Sequence, residues 1–256
     1  MYYVGIDIGS TASKTVVTGD REMKFVLPTG WSSKETASEI ASRLLDEGID
    51  VMSEGVRVAA TGYGRVAVDY ADFVITEITC HARGAHFLNP EVRTVIDIGG
   101  QDSKVIRLDE NGAVANFVMN DKCAAGTGRF LEMMARTMEM SLDDMGKAGL
   151  SYKEDITISS MCTVFAESEV VSLIAQNKAT DDIVHGLNKA VASKTAALAK
   201  RVGGEERYMM TGGVSKNQGL VKTLEEKLGT TLVISDKAQL CGALGAALFA
   251  KDMVTE

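Results

Sequence analysis

The sequence predicts an α/β fold that is built twice, in two domains of similar plan. Residues 4–17 return ninety positions later as residues 94–107, and six of the nine positions from Ile6 to Lys14 are identical across that offset. In each copy an apolar, β-branched run with one embedded aspartate ends at a glycine, and a second apolar run follows. This pattern predicts a β-hairpin with a tight polar turn in each domain.

The first domain is predicted over residues 1–90, and its elements follow from apolar runs at strand or helix spacing. Three β-branched runs come first, and apolar residues at helical spacing alternate with short strands after them. The expected elements are strands at about 2–9, 14–18 and 23–28, a helix from Ser33 to Glu47, a strand at 55–61, a short strand at 73–77 and a helix at 78–88.

The second domain is predicted over residues 91–236 and repeats that order, while a C-terminal helix within 237–256 is expected to pack back on the first domain. The expected elements are strands at about 92–98, 103–108 and 113–119, a helix at about 125–139, a short strand at 155–158, helices at about 163–177 and 180–202, a strand at 206–210, a helix at 215–228, a strand at 231–234 and a helix from 237 to about 251.

Composition excludes several classes of partner. The chain has 256 residues and a net charge of −8 without a basic run, so nucleic acid and anionic membranes are not expected to bind it. It has no stretch of 18 apolar residues, and its N-terminus leads directly into a strand. We therefore expect a cytoplasmic protein, in which the four cysteines are thiols or metal ligands rather than disulfides.

Both hairpin turns carry the groups that a polyphosphate needs. Glycines allow the backbone to come close to a ligand, and hydroxyl, amide and ammonium groups act as donors. The expected phosphate-binding residues are Gly9, Ser10, Thr11, Ala12, Ser13 and Lys14 in the first turn and Gly99, Gly100 and Gln101 in the second. Asp7 and Asp97 lie inside apolar strands, where a carboxylate is costly unless it is paired or binds a metal. Two such turns facing each other would hold one nucleotide.

A third glycine turn, Gly212-Gly213, follows a strand and opens a helix, whose free N–H groups are expected to face adenosine or the α-phosphate. Gln239, just before the last helix, is also expected to border the nucleotide. The order of the two hairpins and this turn resembles the actin, Hsp70 and sugar-kinase superfamily, whose domains have a ribonuclease H-like fold. The chain has no P-loop motif.

Two cysteines lie in segments that open predicted helices. Cys123 is in the glycine-rich segment 120–130, and Cys162 is in the segment 159–167. The positive end of a helix dipole stabilises a thiolate or an anionic metal–sulfur cluster. A [4Fe–4S] cubane takes four thiolates, and two chains around a twofold axis would supply them.

Two other readings of these cysteines stay open. Inert burial is the usual fate of a cysteine. The other reading is a zinc ion or a cubane held by all four cysteines of one chain, although the chain has no C-x-x-C spacing. Cys80 and Cys241 are expected to be packing residues.

Seven segments, spread over nearly the whole chain, resemble the ATP-dependent activators of 2-hydroxyacyl-CoA dehydratases and the related ATPase subunits of benzoyl-CoA reductases. They are GIDIGSTASK, ATGYGR, VIDIGGQDSKVI, NDKCAAGTGRFLE, CTVFAESEV, MTGGVSKNQG and ALGAAL. The resemblance implies a homodimer with one bridging [4Fe–4S] cluster and one Mg-ATP in each subunit. It also implies ferredoxin or flavodoxin as reductant, and delivery of one low-potential electron to an iron–sulfur dehydratase.

The same resemblance implies roles for individual residues. Cys123 and Cys162 would ligate the cluster, and Asp7, Asp97 and Asp102 would position Mg²⁺ and the attacking water. Two rival functions remain at this stage. A small-molecule kinase of the pantothenate type would need an acceptor pocket, and an actin-like or chaperone-like switch would form filaments or bind protein. Neither rival explains both cysteine segments.

Overall fold

The computed structural model describes residues 1–159 and 162–253 and confirms the duplicated two-domain α/β plan. Ser160 and Met161 of the second cysteine segment, and residues 254–256 at the end of the predicted C-terminal helix, lie outside the described residues. The chain separates into two units. Unit 1 comprises Met1–Val92, Leu108–Ala115 and the chain from Ser235 onward, and unit 2 comprises Arg93–Arg107 and Asn116–Ile234.

Unit 1 has a five-stranded mixed sheet in the order β3-β2-β1-β4-β5. β1 pairs antiparallel with β2 and parallel with β4. Its elements are β1 (Tyr2–Ile8), β2 (Ala12–Gly19), β3 (Met23–Pro28), α1 (Ser33–Asp46), β4 (Val56–Thr61), β5 (Phe73–Val74), α2 (Glu77–Leu88) and, from the far end of the chain, α8 (Cys241–Asp252).

The central strand β1 is buried on both faces, which explains why its sequence is apolar apart from Asp7. On one face Val4, Ile6 and Ile8 share a core with Ile40 and Leu44 of α1. On the other face Gly5 lets α8 approach closely, because a Cβ atom on Gly5 would lie 1.9 Å from the carbonyl oxygen of Ala243. The first hairpin is thus fixed between two helices.

Unit 2 repeats the sheet, with the order β10-β9-β6-β7-β8, and adds helices between β8 and β9. Its elements are β6 (Thr94–Ile98), β7 (Ser103–Leu108), β8 (Val114–Asn120), α3 (Gly128–Thr137), α4 (Leu142–Ala148), α5 (Thr163–Ala175), α6 (Thr180–Val202), β9 (Tyr208–Thr211), α7 (Gln218–Leu228) and β10 (Leu232–Ile234). Among the helices of the described residues, none has both the length and the apolar composition that a bilayer crossing requires.

The predicted strand at 155–158 is wrong, because this segment is irregular. The chain just before it is fixed by a side chain: the Asp182 carboxylate accepts hydrogen bonds from the backbone N–H groups of Lys153 (2.6 Å) and Glu154 (2.9 Å). Ile156 and Ile158 are buried in the core of unit 2. The apolar alternation that suggested a strand reflects burial against helices.

Two predictions about the helices near the cysteines also need correction. The helix expected from residue 125 begins at Gly128, because Thr127 donates both its N–H (3.0 Å) and its hydroxyl (2.6 Å) to the carbonyl oxygen of Ala124 in a turn. Helix α4 was not predicted. Its signal was the capping motif at Ser141, whose hydroxyl accepts from the N–H of Asp144 at 3.0 Å.

Helices α2 and α8 cross in unit 1 at two glycines that face two cysteines. A Cβ atom on Gly245 would lie 1.8 Å from the carbonyl oxygen of Cys80, and one on Gly84 would lie 2.2 Å from the carbonyl oxygen of Cys241. The backbones therefore touch at a Cys-x-x-x-Gly pair on each helix. This close approach needs glycine at both positions.

We predict that Gly245→Ala lowers the free energy of unfolding by about 1–3 kcal/mol, because the methyl group forces α2 and α8 apart. Urea denaturation followed by circular dichroism measures the loss. Gly55→Ala is the control, since a Cβ atom there would meet only Ser53 Oγ at 3.5 Å. A wild-type midpoint for Gly245→Ala would contradict the tight crossing.

Candidate functional site

The first hairpin turn holds a buried ion pair at its mouth. Asp7 lies opposite Lys14 in the β1–β2 register, and Lys14 Nζ is 2.8 Å from Asp7 Oδ2. The other carboxylate oxygen, Oδ1, is buried and has no hydrogen-bond partner within the described part of the chain. Such an oxygen fits a site for a cation or an ordered water.

The rest of this turn is held by Thr29, which directly follows β3 and which the sequence reasoning missed. Thr29 donates its hydroxyl to the carbonyl oxygen of Gly9 at 2.7 Å, and Ser13 Oγ lies 2.9 Å from Thr29 Oγ1. Ser13 is therefore buried in the support of the turn, whereas Thr11 is exposed, with Ser10 and Ala12 half-buried. The turn presents its tip residues and its backbone to a ligand.

The second hairpin repeats the ion pair and adds a second carboxylate. Lys104 lies opposite Asp97, and its Nζ is 3.0 Å from Asp97 Oδ2 and 2.8 Å from Asp102 Oδ2. The lysine side chain is 1% exposed. Gly99 closes the turn by donating its N–H to the Asp102 carbonyl oxygen at 2.9 Å, and Gln101 at the tip is exposed. Both predicted acids thus share one buried cation.

The duplication extends to a Thr-Gly turn that the sequence analysis treated as unique to the second half. Thr61 and Thr211 lie beside Asp7 and Asp97 in the parallel strands of their respective units. The glycine that follows each threonine has a positive φ, 85° at Gly62 and 84° at Gly212, and approaches the neighbouring aspartate. The shared Thr-Gly dipeptide after an apolar strand was the available signal.

In unit 2 this turn also anchors the aspartate, because Thr211 donates its hydroxyl to Asp97 Oδ1 at 2.8 Å. Gly213 begins a 3₁₀ turn that ends at Lys216, so α7 begins at Gln218 rather than at the predicted residue 215. In unit 1, Gln239 lies in a 3₁₀ turn that leads into α8 and is half-buried. The nucleotide roles of Gly212, Gly213 and Gln239 stay predictions.

The N-terminus of α3 contacts the turn of the second hairpin, at Gly99 and Gly100, which we call the second phosphate-type turn. The N–H groups of Gly128 and Arg129 donate to the carbonyl oxygens of Gly99 and Gly100, each at 2.8 Å. A Cβ atom on Gly128 would lie 3.1 Å from the oxygen of Gly99 and 3.3 Å from a methyl group of Val214, in the third glycine turn. The turn and the helix therefore form one structural element.

The four cysteines fall into two classes. Cys123 and Cys162 are exposed, whereas Cys80 and Cys241 are fully buried in the α2–α8 crossing. Cys162 is the N-cap residue of α5, as predicted, and Cys123 lies on the loop that precedes α3, five residues before its first helical residue. Burial, together with the nearby carboxylates of Asp7 and Glu77, raises the pKa of the Cys80 thiol to about 12, although a hydrogen bond with Thr61 lowers it in part.

The chain matches the model of a known protein family and two close relatives. The family is the BadF/BadG/BcrA/BcrD ATPase family, matched over residues 4–250. The (R)-2-hydroxyglutaryl-CoA dehydratase activating ATPase of Acidaminococcus fermentans is 46% identical over 98% of this chain and 97% of its own length. A structure of the Clostridium difficile activator of 2-hydroxyisocaproyl-CoA dehydratase with bound ADPNP is 43% identical, with a TM-score of 0.92 over 100% of this chain and 96% of that one.

A more distant solved structure supports the fold alone. A ROK family glucokinase from Streptomyces griseus, in complex with glucose and AMPPNP, has a TM-score of 0.58 and 15% identity, over 98% of this chain and 100% of that one. The likeness to a sugar kinase confirms the actin/Hsp70/sugar-kinase-like fold that was expected from the order of the glycine turns.

We predict that Lys104→Met destabilises the protein by about 3–5 kcal/mol, because it leaves two buried carboxylates without their shared cation. The matched variant Lys14→Met should lose less, since the Lys14 side chain is 16% exposed and that of Lys104 is 1% exposed. Chemical denaturation of both variants at pH 7 measures the difference. Equal losses would contradict the stronger dependence of the second turn on its lysine.

We predict that iodoacetamide at pH 8 alkylates Cys123 and Cys162 in the folded, cluster-free protein and spares Cys80 and Cys241. At a pKa of about 12 only about one Cys80 thiol in ten thousand is ionised at this pH, and the thiolate is the reactive form. Peptide mass spectrometry counts the modified sites, and unfolded protein serves as the fully labelled control. Labelling of a buried cysteine in the folded protein would contradict the division into two classes.

Proposed function

Because the chain belongs to the BadF/BadG/BcrA/BcrD ATPase family, we propose that it hydrolyses ATP to activate a 2-hydroxyacyl-CoA dehydratase, or a related CoA-ester reductase, by transferring one low-potential electron. The observation that carries the proposal is in unit 2. A phosphate-type turn at Gly99-Gly100 supports the helix whose preceding loop bears the exposed Cys123. A nucleotide turn and a metal ligand are thus parts of one element.

Residues of both glycine hairpins would bind Mg-ATP. Backbone and side-chain donors at Ser10 to Lys14 and at Gly99 to Gln101 would hold the phosphates, with adenosine near Gly212 and Gly213. The geometry favours Asp7 as the carboxylate nearest to Mg²⁺, directly or through water, because its Oδ1 is buried and unpartnered in the described part of the chain. Asp97 and Asp102, both paired with Lys104, would orient the attacking water.

Cys123 and Cys162 would hold the iron–sulfur cluster. They fit this role because they are the two exposed thiols, while Cys80 and Cys241 are buried. A [4Fe–4S] cluster takes four thiolates, so a homodimer in which each chain supplies two cysteines completes the set. When bound, the cluster supplies a one-electron carrier. As N-cap of α5, Cys162 lies where the helix dipole stabilises a thiolate.

The partners follow from the same proposal. Ferredoxin or flavodoxin would supply the electron, and the client would be an iron–sulfur dehydratase that acts on a CoA ester. The names of the relatives, activators of 2-hydroxyglutaryl- and 2-hydroxyisocaproyl-CoA dehydratases, support a client of this class. These partners are cytoplasmic, and we place the protein there.

The proposal predicts that protein purified without oxygen, supplied with MgATP and reduced ferredoxin, activates a purified 2-hydroxyacyl-CoA dehydratase. Activation is measured as the rate of dehydration of the client's 2-hydroxyacyl-CoA. Cys123→Ser and Cys162→Ser should each lose at least about 100-fold of this rate, as expected for a lost metal ligand, yet bind ATP like the wild type. Cys241→Ala, which replaces a buried cysteine, is the control and should activate the dehydratase like the wild type.

A different outcome would identify a different enzyme. Wild-type rates in both serine variants would contradict a cluster held by Cys123 and Cys162. ATP consumption that yields a phosphorylated small molecule, without iron in the protein, would overturn electron transfer in favour of a kinase.

A further inference from the structure

The two exposed cysteines of unit 2 lie just before helices α3 and α5, and a side-chain hydrogen bond joins the last residue of α3 to the second turn of α5. Thr137, the last residue of α3, lies with its hydroxyl 3.0 Å from Glu167 Oε1 on α5. The same hydroxyl is 3.1 Å from the carbonyl oxygen of Met133, one turn back on α3. Both oxygens can only accept, so the single hydroxyl proton is shared between them, and the charged carboxylate of Glu167 is the stronger acceptor.

This hydrogen bond is the polar part of a packed contact. Met134 and Ala135 of α3 share a core with Ala166 and Val170 of α5, and all four residues are buried. Glu167 therefore lies beside a dry interface, where a hydrogen bond to a charged acceptor is stronger than at an open surface. Movement of α3 is expected to carry α5 with it.

The opposite end of α3 is held by the second phosphate-type turn. The N–H groups of Gly128 and Arg129 donate to the carbonyl oxygens of Gly99 and Gly100 at 2.8 Å. A change in the backbone of this turn when a nucleotide binds would thus act on the first residues of α3. Because a helix is stiff along its axis, the displacement reaches Thr137 at its other end.

Cys162 lies at the end of this chain of contacts. It is the N-cap of α5, and its carbonyl oxygen accepts the N–H of Ala166 at 2.8 Å. Glu167 is one and a half turns further along the same helix. The path therefore runs from Gly99 and Gly100 through α3, Thr137 and Glu167 to Cys162.

We propose that Glu167 is a positioning residue that couples the nucleotide turn to Cys162, by holding α5 to α3 through Thr137. This inference rests on the proposed function and specifies how its two sites communicate. It assigns different tasks to the two neighbouring acids of α5. Glu169 accepts the N–H of Ser159 on both oxygens at 3.0 Å and the Ser159 hydroxyl on Oε2 at 3.0 Å, so it binds the chain that precedes α5.

The test measures how nucleotide changes the exposure of the iron. Anaerobic, cluster-loaded protein is mixed with an iron(II) chelator in MgADP or in MgADPNP, and the ratio of the two iron-release rates is recorded. For a coupling free energy of ordinary size, the wild-type ratio should differ from one by at least about fivefold. Thr137→Val keeps the shape of the side chain and removes the hydroxyl, so its ratio should fall towards one. Glu167→Ala should do the same.

Two further variants separate coupling from mere damage. Glu167→Gln can still accept the threonine proton and should restore a ratio near that of the wild type. Ser168→Ala, which removes a hydroxyl bonded only to Val164 O of its own helix at 3.2 Å among the described contacts, should leave the ratio unchanged. The double variant Thr137→Val/Glu167→Ala should match either single variant, because both remove one interaction.

The outcomes distinguish this inference from the proposed function. A wild-type ratio in Thr137→Val and in Glu167→Ala would overturn the coupling role and leave the proposed function standing. If the wild-type protein holds iron but releases it at the same rate in MgADP and in MgADPNP, the coupling would also be overturned. Protein without iron after anaerobic reconstitution would overturn the proposed function itself, and the inference with it.

Discussion

A carboxylate placed inside an apolar strand is the constraint on which the rest of this structure depends. Asp7 and Asp97 each lie at the buried end of a central strand, and each faces a lysine directly across the hairpin. Without that cation the carboxylate would be costly to bury, so strand register, turn length and the position of the lysine are fixed together. The glycine turn that follows Thr61 or Thr211 closes on the same carboxylate. One electrostatic requirement therefore organises both candidate phosphate turns.

Unit 1 and unit 2 differ in the partners of this aspartate and in the helices that follow the hairpin. In unit 1 one oxygen of Asp7 has no partner among the described residues, whereas in unit 2 Asp97 is bound by Lys104 and Thr211. Unit 2 also carries helices α3, α4 and α5 between its third strand and the long helix α6. Both exposed cysteines lie in this addition, and its first helix begins on the glycine turn. Under the proposed function, the electron-transfer part would thus be built onto a nucleotide-binding frame.

Sequence reasoning reached the duplicated fold, the hairpins and the two cysteine segments, because each is encoded locally by glycine, apolar periodicity and repeated motifs. It failed where contacts are distant in the sequence. The strand predicted at 155–158 is instead an irregular segment that follows residues bonded to Asp182, and Thr29 supports a turn twenty residues earlier. The contact of Glu167 with Thr137 likewise joins residues that are thirty positions apart. Such tertiary hydrogen bonds leave no periodic signal.

The central claim is that each chain supplies half the ligands of one shared cluster. The most direct test is the iron and acid-labile sulfide content per chain of anaerobically purified protein, together with its molecular mass in solution. The account predicts a dimer with about two irons and two sulfides per chain, since a cubane contains four of each. About four irons per chain, or no iron after reconstitution, would contradict it.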